Sequence, residues 1–418
     1  MAPEVAPTAT ATAKHATGVS TKPSPISVTL GVGVASYQRT LPEALLRAGM
    51  LRRLFRFGMD LDVFDPNGRN SLDLVRRFGV YRSANQILWG VWRRLPGTQR
   101  GRLPIVASCW MADRLTSAYV PESRIFHSWT AVSLASLKAG KRRKAVTLIE
   151  NPMLHPRHWQ REVLAECDRF GVRPHNCDAV LPELLIDRRE REFEMCDGII
   201  VPSEAARQSF IDCGCGAKTT VVQPGVDHQV FRPPDAERKR NSQLFRACYV
   251  GRLELAKGIF YLLEAWKRLR LAHSELVLVG EIRPEVHSIL KDSSSHNIRL
   301  AGLVPADRVA EYYQQSQLFL FPSVNEGLAL ALLEAMACGL PVVATAQSGA
   351  KECVTEGVDG FIVPSRNMDA LADAILWCYH HPDELKAMGK AARRKVESRF
   401  TLEHYVERQI ATYRSLAT

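Results

Sequence analysis

The sequence predicts an α/β protein built of two Rossmann-like, doubly wound domains that face each other across a cleft. Its 418 residues exceed what one core of ordinary size holds. Short apolar, strand-like runs alternate with helical stretches in two successive series, the pattern of parallel sheets covered by helices. Between the series, the segment from Val221 through Pro224 and Gly225 to Pro233 and Pro234 supplies a strand and a run of breakers where a domain boundary belongs. At 46% hydrophobic and 24% charged residues, the composition is that of a folded globular chain.

The first 25 residues stand apart, being dominated by Ala, Thr, Pro, Ser and Lys with no apolar run, and read as a floppy tail without an export signal. From Ile26 an apolar run reads as a buried strand entering a loop with Gly31 and Gly33, whose backbone could approach the phosphates of a ligand. A helix is expected from about Leu41 to Phe55, with Leu41, Ala44, Leu45, Ala48, Leu51 and Phe55 as its core stripe. Strands are expected at Ile105 to Ala107, Arg124 to Phe126, Ala145 to Ile149 and Gly198 to Val201. The second series runs strand 247–250, helix 258–271, strand 276–279, helix 306–315, strand 318–321, helix 328–338, strand 342–344 and helix 368–379, with a last helical stretch at 401–416. The division is therefore a tail (1–25), an N-terminal domain (26–227), a C-terminal domain (228–400) and a terminal helix (401–418).

Nowhere do about 18 apolar residues run uninterrupted, so no helix is expected to cross a bilayer and any membrane contact is peripheral. The ten cysteines are scattered without a Cys-x-x-Cys pair, which suits reduced thiols in a cytoplasm. The formal charge of +11 is concentrated in residues 51–150, which hold 18 Lys and Arg against 7 Asp and Glu. Such a surface attracts anionic lipid head groups or phosphorylated substrates; a plain solvated surface is the alternative. Leu46, Met50, Arg52, Arg53 and Arg56, with Arg76, Arg77, Arg93, Arg94 and the run Lys141 to Lys144, could dock the first domain on the inner face of a membrane and so favour a lipid-linked acceptor. No nucleic-acid partner is expected.

The most informative segment runs from Asn325 to Pro341. A helix is expected just after Gly327, where free N–H groups and the helix dipole make an anion site, and is expected to stop at Gly339. Glu326 at its mouth and Glu334 two turns on, about 12 Å away along an ideal helix, are acids in an apolar stretch, each in need of a partner such as ligand hydroxyls. A second segment, Gly251 to Gly258, follows a strand and opens a helix, and its Arg252 and Lys257 are placed to neutralise a diphosphate leaving group.

On these residues the second half resembles the family 4 (group 1) retaining glycosyltransferases of GT-B fold. The resemblance rests on Gly251-Arg252 with Lys257-Gly258 and on Pro322-Ser323 before Glu326 and Glu334. It continues through Ala335-Met336-Ala337, Gly339 to Thr345, Ser348 to Glu352 and Gly360 to Pro364. It implies that Arg252 and Lys257 grip the donor pyrophosphate, that Glu334 accepts from the ribose, and that Glu326 contacts the transferred sugar. The backbone at Gly327 and Leu328 would meet sugar and phosphate, the terminal helix would cross back onto the first domain, and neither metal nor cofactor is needed. Where the family often has an N-domain histidine, Glu150 stands here; Glu150, His127, His155 and His158 are the acceptor-side candidates. Asp60-Leu61-Asp62 and the His155/His158 pair are set aside as metal sites, lacking the company a ligand set requires.

The function expected is transfer of a hexosyl unit from a UDP- or GDP-sugar to a hydroxyl acceptor with retention. The alternatives are a non-catalytic relative binding anionic lipid or polyanion, and a phosphorylase of related fold.

Overall fold

The computed structural model describes residues 26–32, 40–56, 62–64, 102–234, 244–290 and 297–417. The 1–25 tail, Gly33, Asp60, Leu61, Arg76, Arg77, Arg93 and Arg94 lie outside them.

The first sheet has strands β1 (Val28–Val32), β2 (Leu51–Arg56), β3 (Asp62–Phe64), β4 (Ile125–Trp129), β5 (Val146–Glu150), β6 (Gly198–Val201) and β7 (Thr219–Val221), in the order β3-β2-β1-β4-β5-β6-β7. All neighbours are parallel except β2 and β3. One face packs Leu30, Leu148 and Ile200 against Leu41 and Leu45 of α1 (Thr40–Arg47) and against Tyr405 and Tyr413. The other packs Phe126, Ile149 and Ile199 against Leu137 of α3 (Leu134–Arg142), Phe193 of α5 (Glu183–Met195) and Phe210 of α6 (Glu204–Asp212). The helix α2 (Arg102–Tyr119) precedes β4, and α4 (Pro156–Arg169) follows β5.

The second sheet comprises β8 (Phe245–Val250), β9 (Ser274–Val279), β10 (Ile298–Gly302), β11 (Leu318–Phe321), β12 (Val342–Thr345) and β13 (Gly360–Val363), all parallel, in the order β10-β9-β8-β11-β12-β13. Its helices are α7 (Ile259–Leu269), α8 (His287–Leu290), α9 (Val309–Gln314), α10 (Leu330–Ala337), α11 (Met368–His380) and α12 (Pro382–Arg399). Strand order reverses between β8 and β11, and in open α/β sheets the crevice at the carboxyl ends of such a pair is where ligands bind. Trp159, Val163 and Cys167 of α4 are buried in the same apolar cluster as this second sheet, so α4 spans the two domains. The last helix, α13 (Leu402–Ala417), returns to the first sheet through Tyr405 and Tyr413.

Several sequence expectations are corrected. The helix expected over 41–55 ends at Arg47; Gly49, at φ 65°, turns the chain, and Leu51–Arg56 is a strand. Leu51, Leu54 and Phe55 are buried as strand residues, a run that fits helix and strand periods alike over so short a window. Met50 is core rather than membrane-facing, and an Arg53 Nη1–H donates to the Tyr119 carbonyl at 2.6 Å. Ile105 to Ala107 lies inside α2, because three apolar residues carry no period of their own. The helix expected from Leu328 begins at Leu330, with Ala329 extended, so Glu326 sits in a loop and the ideal-helix ruler between Glu326 and Glu334 does not apply. The exposed run Lys141 to Lys144 leads into the start of β5, at the edge of the sheet opposite its carboxyl ends.

No helix among the described residues is long and apolar enough to cross a membrane. The cysteines from Cys167 to Cys378 are free thiols.

Gly258 ties the two central strand exits together. Its φ is 69°, and an added Cβ would lie 2.0 Å from the Pro322 carbonyl oxygen. Gly258→Ala is expected to cost about 2–5 kcal/mol, the sum of left-handed strain and overpacking. The expected readout is a lower urea midpoint at unchanged slope.

Candidate active site

The loops leaving β8 and β11 are laced to each other. Ala256 accepts at its carbonyl from the Val324 N–H at 3.0 Å and from Ser323 Oγ at 3.1 Å, while Thr345 Oγ1 donates to the Ser323 carbonyl. The Glu326 N–H donates to the Gln347 carbonyl at 3.0 Å, and Gly349, at φ 74°, packs so closely on Gly327 that an added Cβ would sit 2.2 Å from the Gly327 carbonyl oxygen. Lys257 and Glu326 are thereby brought together as a direct ion pair, each side chain nearly buried. The ammonium also lies 6.0 Å from the Trp159 ring and 5.9 Å from the Phe321 ring, within cation–π range. Burial pushes Lys257 down to about 8, the Glu254 charge acts upward and the Arg252 charge downward.

Arg252 is half-exposed, and its Nη2 lies 3.5 Å from Glu254 Oε1. The Arg252 backbone is fixed by its carbonyl, which accepts from Tyr249 Oη at 2.8 Å. Glu254, which sequence reasoning passed over, is fully buried, and among the described residues neither carboxylate oxygen has a hydrogen-bond partner. A carboxylate there is tolerable only through the neighbouring cations, so Glu254 holds Arg252 and Lys257 at the mouth of the loop electrostatically. Its legible signal is an acid two residues after Arg252 in a loop otherwise closed by Leu253, Leu255 and Ala256, all buried.

Glu334 projects from α10, and its Oε2 accepts from Tyr313 Oη at 3.0 Å. Burial pushes its carboxyl up to about 7, against the lowering effect of the tyrosine bond. Gly327 lies at the domain interface: its carbonyl accepts from Ser203 Oγ at 2.6 Å, and an added Cβ would lie 2.7 Å from the Pro152 carbonyl oxygen. Leu328 beside it is buried. The structure thus collects Arg252, Glu254, Lys257 and Glu326 at the reversal point of the second sheet, with Gly327 turned to the first domain.

The acceptor-side candidates are dispersed. His127 and Glu150 are buried beneath α13, with His127 Nε2 3.5 Å from Glu150 Oε2. Tyr405 Oη donates to Glu150 at 3.3 Å, and Tyr413 Oη and Gln409 Nε2 lie 2.6 and 3.3 Å from His127 Nδ1. Burial pushes His127 down to about 3, so it is a neutral imidazole. His155 caps α4, its Nδ1 accepting from the Arg157 N–H at 3.3 Å, and it packs between Phe193 and Phe210. His158 lies on α4 with Nδ1 3.0 Å from Arg161 Nη2. Gly31 lies within β1, paired with Phe55.

Two Rossmann-like domains with a charged site at the switch point of the second define a GT-B protein. Sucrose-phosphate synthase from Thermosynechococcus elongatus superposes with a TM-score of 0.68 at 20% identity, covering 94% of this chain and 99% of that one. HepE from Anabaena, solved in complex with UDP-glucose, gives 0.62 at 16% identity over 93% and 100% of the two chains. Residues 234–395 match the family model described as glycosyl transferases group 1, a match that lies within the C-terminal domain. Similar curated proteins include a D-inositol 3-phosphate glycosyltransferase from Kribbella flavida, 33% identical over 48% of this chain and 51% of that protein. The amylovoran biosynthesis glycosyltransferase AmsK from Erwinia amylovora is 27% identical over 57% and 61%. The chain therefore spans 51% to 61% of the length of these two curated relatives.

Glu334 carries a pH signature. A carboxyl whose pKa is higher folded than unfolded adds stability that is present below about 4.5 and lost as pH rises through about 7. Glu334→Gln is expected to leave the melting temperature at pH 5 nearly unchanged and to raise it at pH 8, giving a flatter profile by scanning calorimetry from pH 5 to 8.5.

Proposed function

We propose that the chain is a retaining glycosyltransferase that moves a hexosyl unit from a UDP- or GDP-sugar to a hydroxyl acceptor. The observation that carries this reading is the pairing of Lys257 with Glu326 where the β8 and β11 exits converge, with Arg252 on the same β8 loop, paired with Glu254. Fixed cations in a largely buried loop stabilise charge that grows on a departing diphosphate, with no metal or cofactor required. Glu326, already oriented by Lys257, is placed to accept from sugar hydroxyls, and Glu334, shared with Tyr313, to accept from a ribose. The group 1 match and the UDP-glucose complex of HepE support a nucleotide-sugar donor.

The acceptor belongs on the N-terminal domain. With His127 and Glu150 under α13, the acceptor side is left to groups closer to Gly327 and Trp159. Closure of the two domains excludes water from the reacting sugar.

Thermal shift with UDP, GDP, ADP and their sugars tests the donor class: a ligand at a hundred times its dissociation constant adds about 2.7 kcal/mol of stability. One of the UDP or GDP pairs is expected to raise the melting point, and silence from all of them overturns the reading. Arg252→Ala is expected to lower turnover, measured per folded molecule, at least about a hundredfold, with some loss of stability because the buried Glu254 loses a neighbouring cation. Turnover within a few-fold of wild type removes the guanidinium from the chemistry. The anomeric configuration of the first product, followed by proton NMR, is expected to match that of the donor.

A further inference from the structure

A second cavity lies on the first domain, among α2, α3 and α5. It has a volume of about 420 Å³ and is lined by Trp110 of α2, Leu134 at the start of α3, and Leu184, Asp187, Arg188 and Arg191 of α5. That volume falls in the range of about 300–1,000 Å³ usual for small-molecule sites. Leu184, Asp187, Arg188 and Arg191 recur at the three- and four-residue spacing of one helical face, so they form a continuous wall.

The floor is rigid. Arg188 is buried, its Nε–H donates to the Ala131 carbonyl at 2.9 Å, and its guanidinium pairs with Asp113. Its Cζ also lies 5.8 Å from the Trp110 ring centroid, fixing one side of the indole. Yet Trp110 remains 42% exposed and Leu184 50% exposed, large apolar surfaces left open to solvent on a folded domain. Glu190 and Glu194 line it as well, so three carboxylates face Arg188 and Arg191. Arg157 pairs with Asp187 and Glu190, and Asp113 pairs with Arg188, so most of this charge is already compensated within the protein and selects strongly for neither an anion nor a cation. An aromatic face beside balanced carboxylate acceptors and guanidinium donors fits a ligand with apolar C–H faces and many neutral hydroxyls.

The α5 wall of the cavity is tied to α4. The N-terminus of α5 lies at the carboxyl edge of the first sheet, and there Arg157 of α4 binds Asp187 at 2.8 Å and Glu190 at 2.8 Å. Two residues further on, Trp159 lies against Lys257.

We infer that the Trp110 cavity is a saccharide-binding subsite for neutral oligosaccharides, remote from the reacting sugar and separate from the donor site. It holds a glycan by stacking on Trp110 and hydrogen bonding to Asp187 and Arg191, and it does not depend on the transferase reading, since it binds without reaction.

The test is an array of neutral, sulfated and phosphorylated oligosaccharides probed with the full chain, with affinities of retained glycans measured by titration calorimetry. Expected is retention of at least one neutral oligosaccharide, a loss of at least tenfold in affinity in Trp110→Ala and in the exposed-residue variant Arg191→Ala, and recovery of most of it in Trp110→Phe. The thermal shift given by nucleotides is expected to be the same in all variants, which separates this subsite from the donor site. Retention of no neutral glycan, binding of charged glycans alone, or equal affinity in wild type and both alanine variants overturns the inference.

Discussion

The ion pair between Lys257 and Glu326 sets the terms for the rest of the site. Two charges taken largely out of water are tolerated only when geometry holds them together, since desolvation rivals their attraction. That geometry is supplied by the exits of two strands that neighbour each other only because strand order reverses between β8 and β11. Gly258 beneath Pro322, Ser323 and Val324 bonded to Ala256, and Gly349 closed on Gly327 leave the two loops little freedom to separate. Glu254, buried behind Arg252, adds a fixed negative charge that keeps the cationic side of the loop in place. The polar part of the site is therefore held by the protein's own contacts, which suits the electrostatic role proposed for it.

The two domains are joined by more than a linker. On one side α4 carries Glu166, fully buried, which accepts from Tyr261 Oη at 2.9 Å and Arg366 Nε at 2.6 Å in the second domain. On the other side α13 comes back to the first sheet and covers His127 and Glu150 with two tyrosines and a glutamine. Near the site itself the contacts are tight and small, with Ser203 on Gly327 and Asn325 Nδ2 donating to the Trp159 carbonyl at 3.3 Å. A side chain at position 327 would push Pro152 and Pro202 away, so glycine there is a requirement of domain approach.

Legibility followed periodicity and length. The strands β8, β9, β11 and β12 were readable as continuous apolar runs because both faces of a parallel sheet are covered. The edge strand β10 was not, since Arg299 and Leu300 are exposed and its pattern is neither alternating nor apolar. The polar helix α12 escaped for the same reason: it docks through a few residues such as Leu385, Ala392 and Val396. In the first domain, Gly49 was the signal that separates α1 from β2, but the apolar stripe on either side runs through it without a break.

The sequence by itself determined the two-series α/β architecture and the identity of the charged residues at the second sheet, because strand periods, breakers and acids in apolar stretches are local properties of the chain. Only the tertiary structure decided that Lys257 meets Glu326, that Glu254 stands behind Arg252, that Tyr313 holds Glu334, and that Glu150 and His127 are sealed beneath α13. Those pairings join residues 69, 21 and 255 positions apart for Lys257–Glu326, Tyr313–Glu334 and Glu150–Tyr405. They depend on strand order and on where a returning helix lands, which no local pattern of residues encodes.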